Sequence, residues 1–269
     1  MPIEFFDSHN HLDFICFNKE RRQLVDNCYA RGILFQLISG VKPASWVNQL
    51  NIARNYQLYA ALGFHPYFLD QANENDWLIL QQLITNDHKL PRQTIIAIGE
   101  CGLDFWDKQT DRHKQILFFQ RQIDLAKSNQ MPLILHCRKA WDEITSQLVK
   151  KDFHHGGIAH AFAGSLQQAH KLLDLGFKLG FGGAVTHPRA NRLRTLLKQL
   201  PDHAIVLETD APDMRPAFIN NLDTTPNNSP LYLPEIAAVI AAIRQQPLAE
   251  LAENCLQNTQ SALKLQLPS

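Results

Sequence analysis

Two histidines one residue apart, His9 and His11, close an apolar run in FFDSHNHLD (5–13). On an extended strand residues i and i+2 face the same side, so both imidazoles can aim at one point, as a metal ion requires. Alone, the pattern reads equally as two polar residues hydrogen-bonded to loops at a strand end. Further donors recur downstream. Glu100 ends TIIAIGE, His136 stands at the mouth of PLILHC, His160 lies in GGIAHAF, and Asp210 closes AIVLETD with Glu208 on the same parity below it. Ile96, Ile98 and Glu100 share parity, so Glu100 tops an inward-facing apolar column. A carboxylate there is costly unless paired or bound to a cation. Two neighbouring acids likewise need a proton or a cation. Each residue singly has a structural reading. Together they form a ring of N and O donors at one end of five strands, suited to Zn²⁺, Mn²⁺ or a related ion. The ring is large enough for two ions if Glu100 bridges them.

Other residues near the same end are secondary candidates. His65, in LGFHP, can contact a substrate phosphate when protonated, or can be a loop histidine braced by Pro66. Arg138 offers a fork for a phosphate or carboxylate, or a salt bridge to Asp142 one turn on. Asp7 shares parity with His9 and is a candidate to orient a ligand imidazole; Glu208 is a candidate for the same task. Asp104 lies near the mouth with no assignable role. His187 falls in the loop after strand seven. Cys101 and Cys137 each follow a proposed ligand, so parity turns them away from the metals.

These positions need a scaffold that brings distant strand ends together. Apolar runs at 3–9, 32–39, 57–64, 94–100, 132–137, 156–162, 178–185 and 204–210 alternate with helical patterns such as 21–32, 111–130, 165–176 and 191–200. Strands this apolar, interleaved with helices, belong to a parallel sheet covered on both faces. Eight such units predict a TIM (β/α)₈ barrel, with residues 1–269 as one domain and the chemistry at the C-terminal ends of its strands. An open doubly wound sheet is the rival, but no Gly-rich phosphate loop follows the first strand. The segment 211–230 is long for a βα loop and is expected to shape the substrate cleft.

The 269 residues are 45% hydrophobic, enough for a sizeable core, and carry 26 basic against 26 acidic side chains. That balance gives no support for wrapping a long duplex, which calls for a basic surplus. Five cysteines without a CxxC pair, no signal-peptide pattern and no run long enough to span a bilayer predict a cytoplasmic protein with reduced thiols and no membrane partner.

FFDSHNHLD, IGECGLD (98–104), PLILHCRKAWDE (132–143), HAFAG (160–164) and VLETDAP (206–212) together resemble the TatD-type metal-dependent hydrolases, deoxyribonuclease-like members of the amidohydrolase superfamily. The resemblance is closest to metallohydrolases with an ETDAPDM stretch. It implies a TIM barrel holding two divalent ions, such as Zn, Mn or Mg. His9 and His11 would bind one ion, His136 and His160 the other, and Glu100 would bridge both. Asp210 would complete the first site and handle protons, so Asp210 and Glu100 are the expected catalytic residues. Two positions depart from the family pattern: Ala163 replaces a usual Ser or Thr, and NTQSAL (258–263) lacks the Arg usual in the tail. The first functional expectation is hydrolysis of phosphodiesters at DNA ends by a metal-activated water. The second is hydrolysis of an amide, ester or aminoacyl substrate at the same centre. A third, a metal-binding protein without turnover, is disfavoured by the intact ligand set. No obligate protein partner is expected.

Overall fold

A computed structural model describes residues 2–106, 111–219 and 227–266. Among these residues eight parallel strands form one sheet in the order of the chain: β1 (Phe5–Asn10), β2 (Ile33–Ser39), β3 (Tyr59–Leu62), β4 (Ile95–Asp104), β5 (Leu133–Arg138), β6 (Gly157–Ala159), β7 (Phe177–Phe181) and β8 (Ile205–Leu207). Sequential pairing of parallel strands leaves β1 and β8 as the two edges. Two backbone bonds close them, Asp210 N–H to His9 O at 2.9 Å and His11 N–H to Ala211 O at 2.8 Å. The fold is the (β/α)₈ barrel that the alternating pattern predicts.

The helices wrap the sheet because each buries an apolar stripe against it. They are α1 (Arg21–Ala30), α2 (Trp46–Asn55), α3 (Glu74–Asp87), α4 (Arg112–Ser128), α5 (Trp141–Lys150), α6 (Leu166–Asp174), α7 (Asn191–Gln199), α8 (Leu233–Arg244) and α9 (Leu248–Leu263). Their starts are written locally: Asn73 with Asp76, and Ser165 with Gln168, form capping boxes. The main apolar cluster lies between strands and helices. A smaller one, including Phe6, Leu37, Ala61, Ile134, Ile158 and Val206, fills the barrel itself. Ala262 and Leu263 of α9 join the inner cluster, and Asn258 donates to the carbonyl of Ile205 at the start of β8. The tail that lacks the usual Arg therefore closes the N-terminal end of the barrel, opposite the chemistry. No described helix is long and apolar enough to cross a membrane.

The strand pattern needs correction in two places. β4 runs on to Asp104, so Glu100 sits inside the strand rather than at its end. Ile96 packs in the inner cluster but Ile98 in the outer one, and the pairing with β5 shifts between Ile98 and Cys101. The simple alternation Ile96–Ile98–Glu100 is thus interrupted by a bulge, which re-aims the carboxylate. β8 ends at Leu207, so Glu208 and Asp210 lie on the segment beyond it. Asp210 adopts φ 56, the left-handed region that Asp and Asn enter more readily than most L-residues.

Candidate metal centre

Five imidazoles and two carboxylates meet at the C-terminal mouth of the barrel. His9, at the end of β1, places Nε2 3.2 Å from Glu100 Oε2 and 3.6 Å from Asp210 Oδ1. His11 Nε2 lies 3.4 Å from Asp210 Oδ1 and 3.8 Å from Glu100 Oε2. The other Glu100 oxygen, Oε1, is 2.9 Å from Nδ1 of His136 and 3.4 Å from Nε2 of His65. His160, just past β6, brings Nε2 to 3.6 Å from Asp210 Oδ2 and stacks on His9 with ring centroids 3.6 Å apart. Among the described residues, donor atoms close enough to share an ion fall into three overlapping groups: His9, His11 and Glu100; His9, His160 and Asp210; His65, Glu100 and His136. The family resemblance pairs His136 with His160. The geometry instead sets His136 beside His65, and His160 beside His9.

The far nitrogens of these rings are also held. Both His9 and His11 direct Nδ1 at Ser39, the last residue of β2: His9 to its hydroxyl at 3.0 Å and His11 to its carbonyl at 2.9 Å. A carbonyl only accepts, so Nδ1 of His11 carries a proton, and Nε2 is the nitrogen turned to the carboxylates and available to an ion. Glu208 Oε1 stands 3.1 Å from His160 Nδ1 and accepts the N–H of Ala161 at 2.8 Å. Asp104 Oδ2 stands 3.2 Å from His136 Nε2, leaving Nδ1 for Glu100. Outer carboxylates of this kind fix the tautomer and orientation of metal-binding imidazoles. We expect Glu208→Gln to weaken metal affinity by about 10- to 100-fold with the fold intact. Titration of the stripped protein, monitored beside its circular dichroism, measures this; unchanged affinity would remove Glu208 from that task.

The residues present fit a divalent ion. His9 Nε2 is fully buried and makes no hydrogen bond, although it faces two carboxylates. Burial alone would raise the carboxyls of Glu100 and Asp210. The imidazoles of His65 and His9 on the first, and of His160 and His11 on the second, outweigh it and hold both ionised below the usual range. In return burial would lower His11, but Asp210 beside it pushes the ring up to about 9. The buried anions therefore draw positive charge into the mouth, and a divalent cation answers the same demand.

Burial pushes His65 down to about 4, so the protonated form foreseen for phosphate contact is disfavoured. Its Nδ1 accepts the N–H of Tyr67 at 3.1 Å, which leaves the Nε2 proton facing Glu100. Arg138 pairs with Asp104 at 3.5 Å, whereas Asp142 turns to Gln168 and Lys171. Asp7 touches no ligand imidazole. It accepts from Thr209 N–H at 2.9 Å, Thr209 Oγ1 at 2.6 Å and Asn10 Nδ2 at 3.0 Å, tying β1 to the segment that carries Asp210. His187 Nε2 donates to the carbonyl of Arg215 at 3.0 Å, a loop-to-loop brace. Of the long segment 211–230, Met214 lines the cleft and residues 220–226 lie outside the described residues. Ser39 does not stand out in the sequence because serine is not a usual metal ligand, although a polar residue ending GILFQLIS satisfies the same strand-end criterion as the ligands. The role of Asp104 is not legible in the sequence because its partner is a ring on the neighbouring strand.

A family model described as TatD related DNase matches residues 6–264. The chain belongs to the TatD-related DNase family. As a TatD protein it is a metal-dependent hydrolase. An uncharacterised metal-dependent hydrolase of Escherichia coli K12, YjjV, is 34% identical over 260 residues, covering 96% of this chain and 97% of that protein. The crystal structure of the Escherichia coli TatD homologue YjjV superposes with a TM-score of 0.90 at 32% identity, over 99% of this chain and 100% of the other. The 3'-5' ssDNA/RNA exonuclease TatD of Salmonella typhimurium is 32% identical over 245 residues, covering 89% of this chain and 91% of that protein.

Proposed function

We propose that this TatD protein hydrolyses phosphodiester bonds at single-stranded nucleic-acid ends, using two divalent ions bridged by Glu100. The observation that carries the reading is the split engagement of that carboxylate. One oxygen faces His9 and His11, and the other faces His136 and His65. His9, His11 and Asp210 would hold one ion, His136 the other, with Glu100 between them and His160 beside Asp210. When bound, such ions supply Lewis acidity that polarises a phosphoryl oxygen and makes water a competent nucleophile near neutral pH.

The chain's own groups do the rest. Asp210, buried and ionised, lies against three imidazoles and is positioned to take a proton from water and return it to the leaving oxygen. The neutral His65 offers Nε2–H to an oxygen entering beside Glu100. Arg138, half exposed at the mouth and tied to Asp104, presents the rest of its guanidinium fork to a phosphate. The exonuclease activity in the name of the Salmonella relative supports the substrate class.

A panel of single-stranded oligonucleotide, bis(p-nitrophenyl) phosphate and p-nitrophenyl esters, with and without EDTA, tests the reading. We expect phosphodiester hydrolysis that EDTA abolishes and added Mn²⁺, Mg²⁺ or Zn²⁺ restores. Metal-dependent ester hydrolysis without phosphodiester cleavage would favour the acyl-hydrolase alternative instead.

A further inference from the structure

We infer that Trp106 is a stacking platform for a nucleobase near the end of a single strand, with Lys139 and Arg138 taking the adjoining phosphates. The inference rests on the nuclease reading above and specifies how the strand is held.

Trp106 follows β4 at the mouth of the barrel and is 56% exposed. An open indole beside an active-site cleft offers a flat apolar face on which a base can stack. Its backbone is not loose. The N–H of Trp106 donates to Asp104 Oδ1 at 3.0 Å, and the same carboxylate meets His136 Nε2 at 3.2 Å and Arg138 Nη1 at 3.5 Å. One buried acid thus fixes the indole, a guanidinium and a metal-site imidazole relative to one another.

Cations surround the ring. Lys139 Nζ lies 3.9 Å from its centroid and the Arg138 guanidinium carbon 5.5 Å. Arg192 lines the same cleft of about 780 Å³, which reaches His136, His160 and Asp210 at its floor. Of the described acids that line the cleft, Asp142 meets Gln168 and Lys171, Glu143 meets Gln147, and Asp210 faces the imidazoles at the floor. On a chain of zero net charge, the described residues of the mouth thus group Lys139, Arg192 and Arg138, the last with one nitrogen held by Asp104, around an aromatic ring. Aromatic faces interleaved with cations are how proteins hold single strands, bases on the rings and phosphates on the cations. A small acyl substrate has use for neither.

The test uses metal-loaded wild type, Trp106→Ala and Trp106→Phe on a single-stranded oligonucleotide. Matched strands carry an abasic site in turn at each of the three nucleotides nearest the cleaved end. We expect Trp106→Ala to raise KM on the order of 5- to 100-fold, kcat to move less, and Trp106→Phe to recover part of the loss. One abasic position should cost the wild type a similar factor, and the two losses should not add. The wild-type indole emission should also be quenched by the oligonucleotide in EDTA more strongly than that of Trp106→Phe. Unchanged KM in Trp106→Ala with cleavage intact overturns the platform and leaves the nuclease reading standing. Cleavage of bis(p-nitrophenyl) phosphate but of no oligonucleotide by the wild type overturns both.

Discussion

Asp210→Asn lowers turnover by at least about 100-fold, the lower end of what a positioned acid–base group contributes. The substitution is close to isosteric, and its effect should be chemical rather than structural. The backbone at this position sits at φ 56, which Asn tolerates as well as Asp, and its N–H bond to His9 O is untouched. What disappears is the charge shared by Oδ1, which faces His9 and His11, and Oδ2, which faces His160, at 3.4–3.6 Å. An amide keeps a hydrogen bond there but takes no proton from water. Steady-state kinetics on a phosphodiester, with metal content measured on the same sample, decide the matter. Near-normal kcat at full metal content would refute the proton-handling role; loss of metal with loss of rate would place Asp210 chiefly among the ligands.

Glu100→Gln should be more damaging, on the order of 10³-fold or more in kcat/KM, as several kcal/mol of metal-derived stabilisation would be lost. The carboxylate is 2% exposed, and its two oxygens are contacted from both sides by four imidazoles. Removing its charge leaves those rings without their shared anion. In stripped protein the imidazoles then lose the partner that favours their protonation, while in loaded protein the two halves of the site lose their common ligand. Elemental analysis after dialysis should find less than the wild-type metal content, and added metal should not restore the rate. A Glu100→Gln protein with wild-type metal content and activity would sink the bridging role and with it the two-ion reading.

Much of this site is legible in the sequence. The eight apolar runs and the helices between them predict a barrel because parallel strands covered on both faces admit few other arrangements. In such a barrel every strand end faces one mouth, so His9, His11, Glu100, His136, His160 and Asp210 could be grouped from linear positions alone. The residue types then restrict what they hold, since buried imidazoles and carboxylates in one place call for a cation.

Three matters depended on the fold in three dimensions. Strand parity failed at β4, where a bulge re-aims Glu100, because bulges arise from register against a neighbouring strand and not from the strand's own residues. The grouping of the histidines was decided by which strands lie side by side and how far each loop overhangs. His65 reaches Glu100 from β3, and His160 reaches over to His9 across the barrel mouth. Finally, the supports join residues far apart in the chain: Ser39 hydrogen-bonds His9 and His11, Asp104 hydrogen-bonds His136, and the Glu208 carboxylate lies against His160. The sequence determines which groups arrive at the mouth, because strand direction alone sends them there. Which atom faces which is set by ångström-scale packing between strands, and only the tertiary structure carries that information.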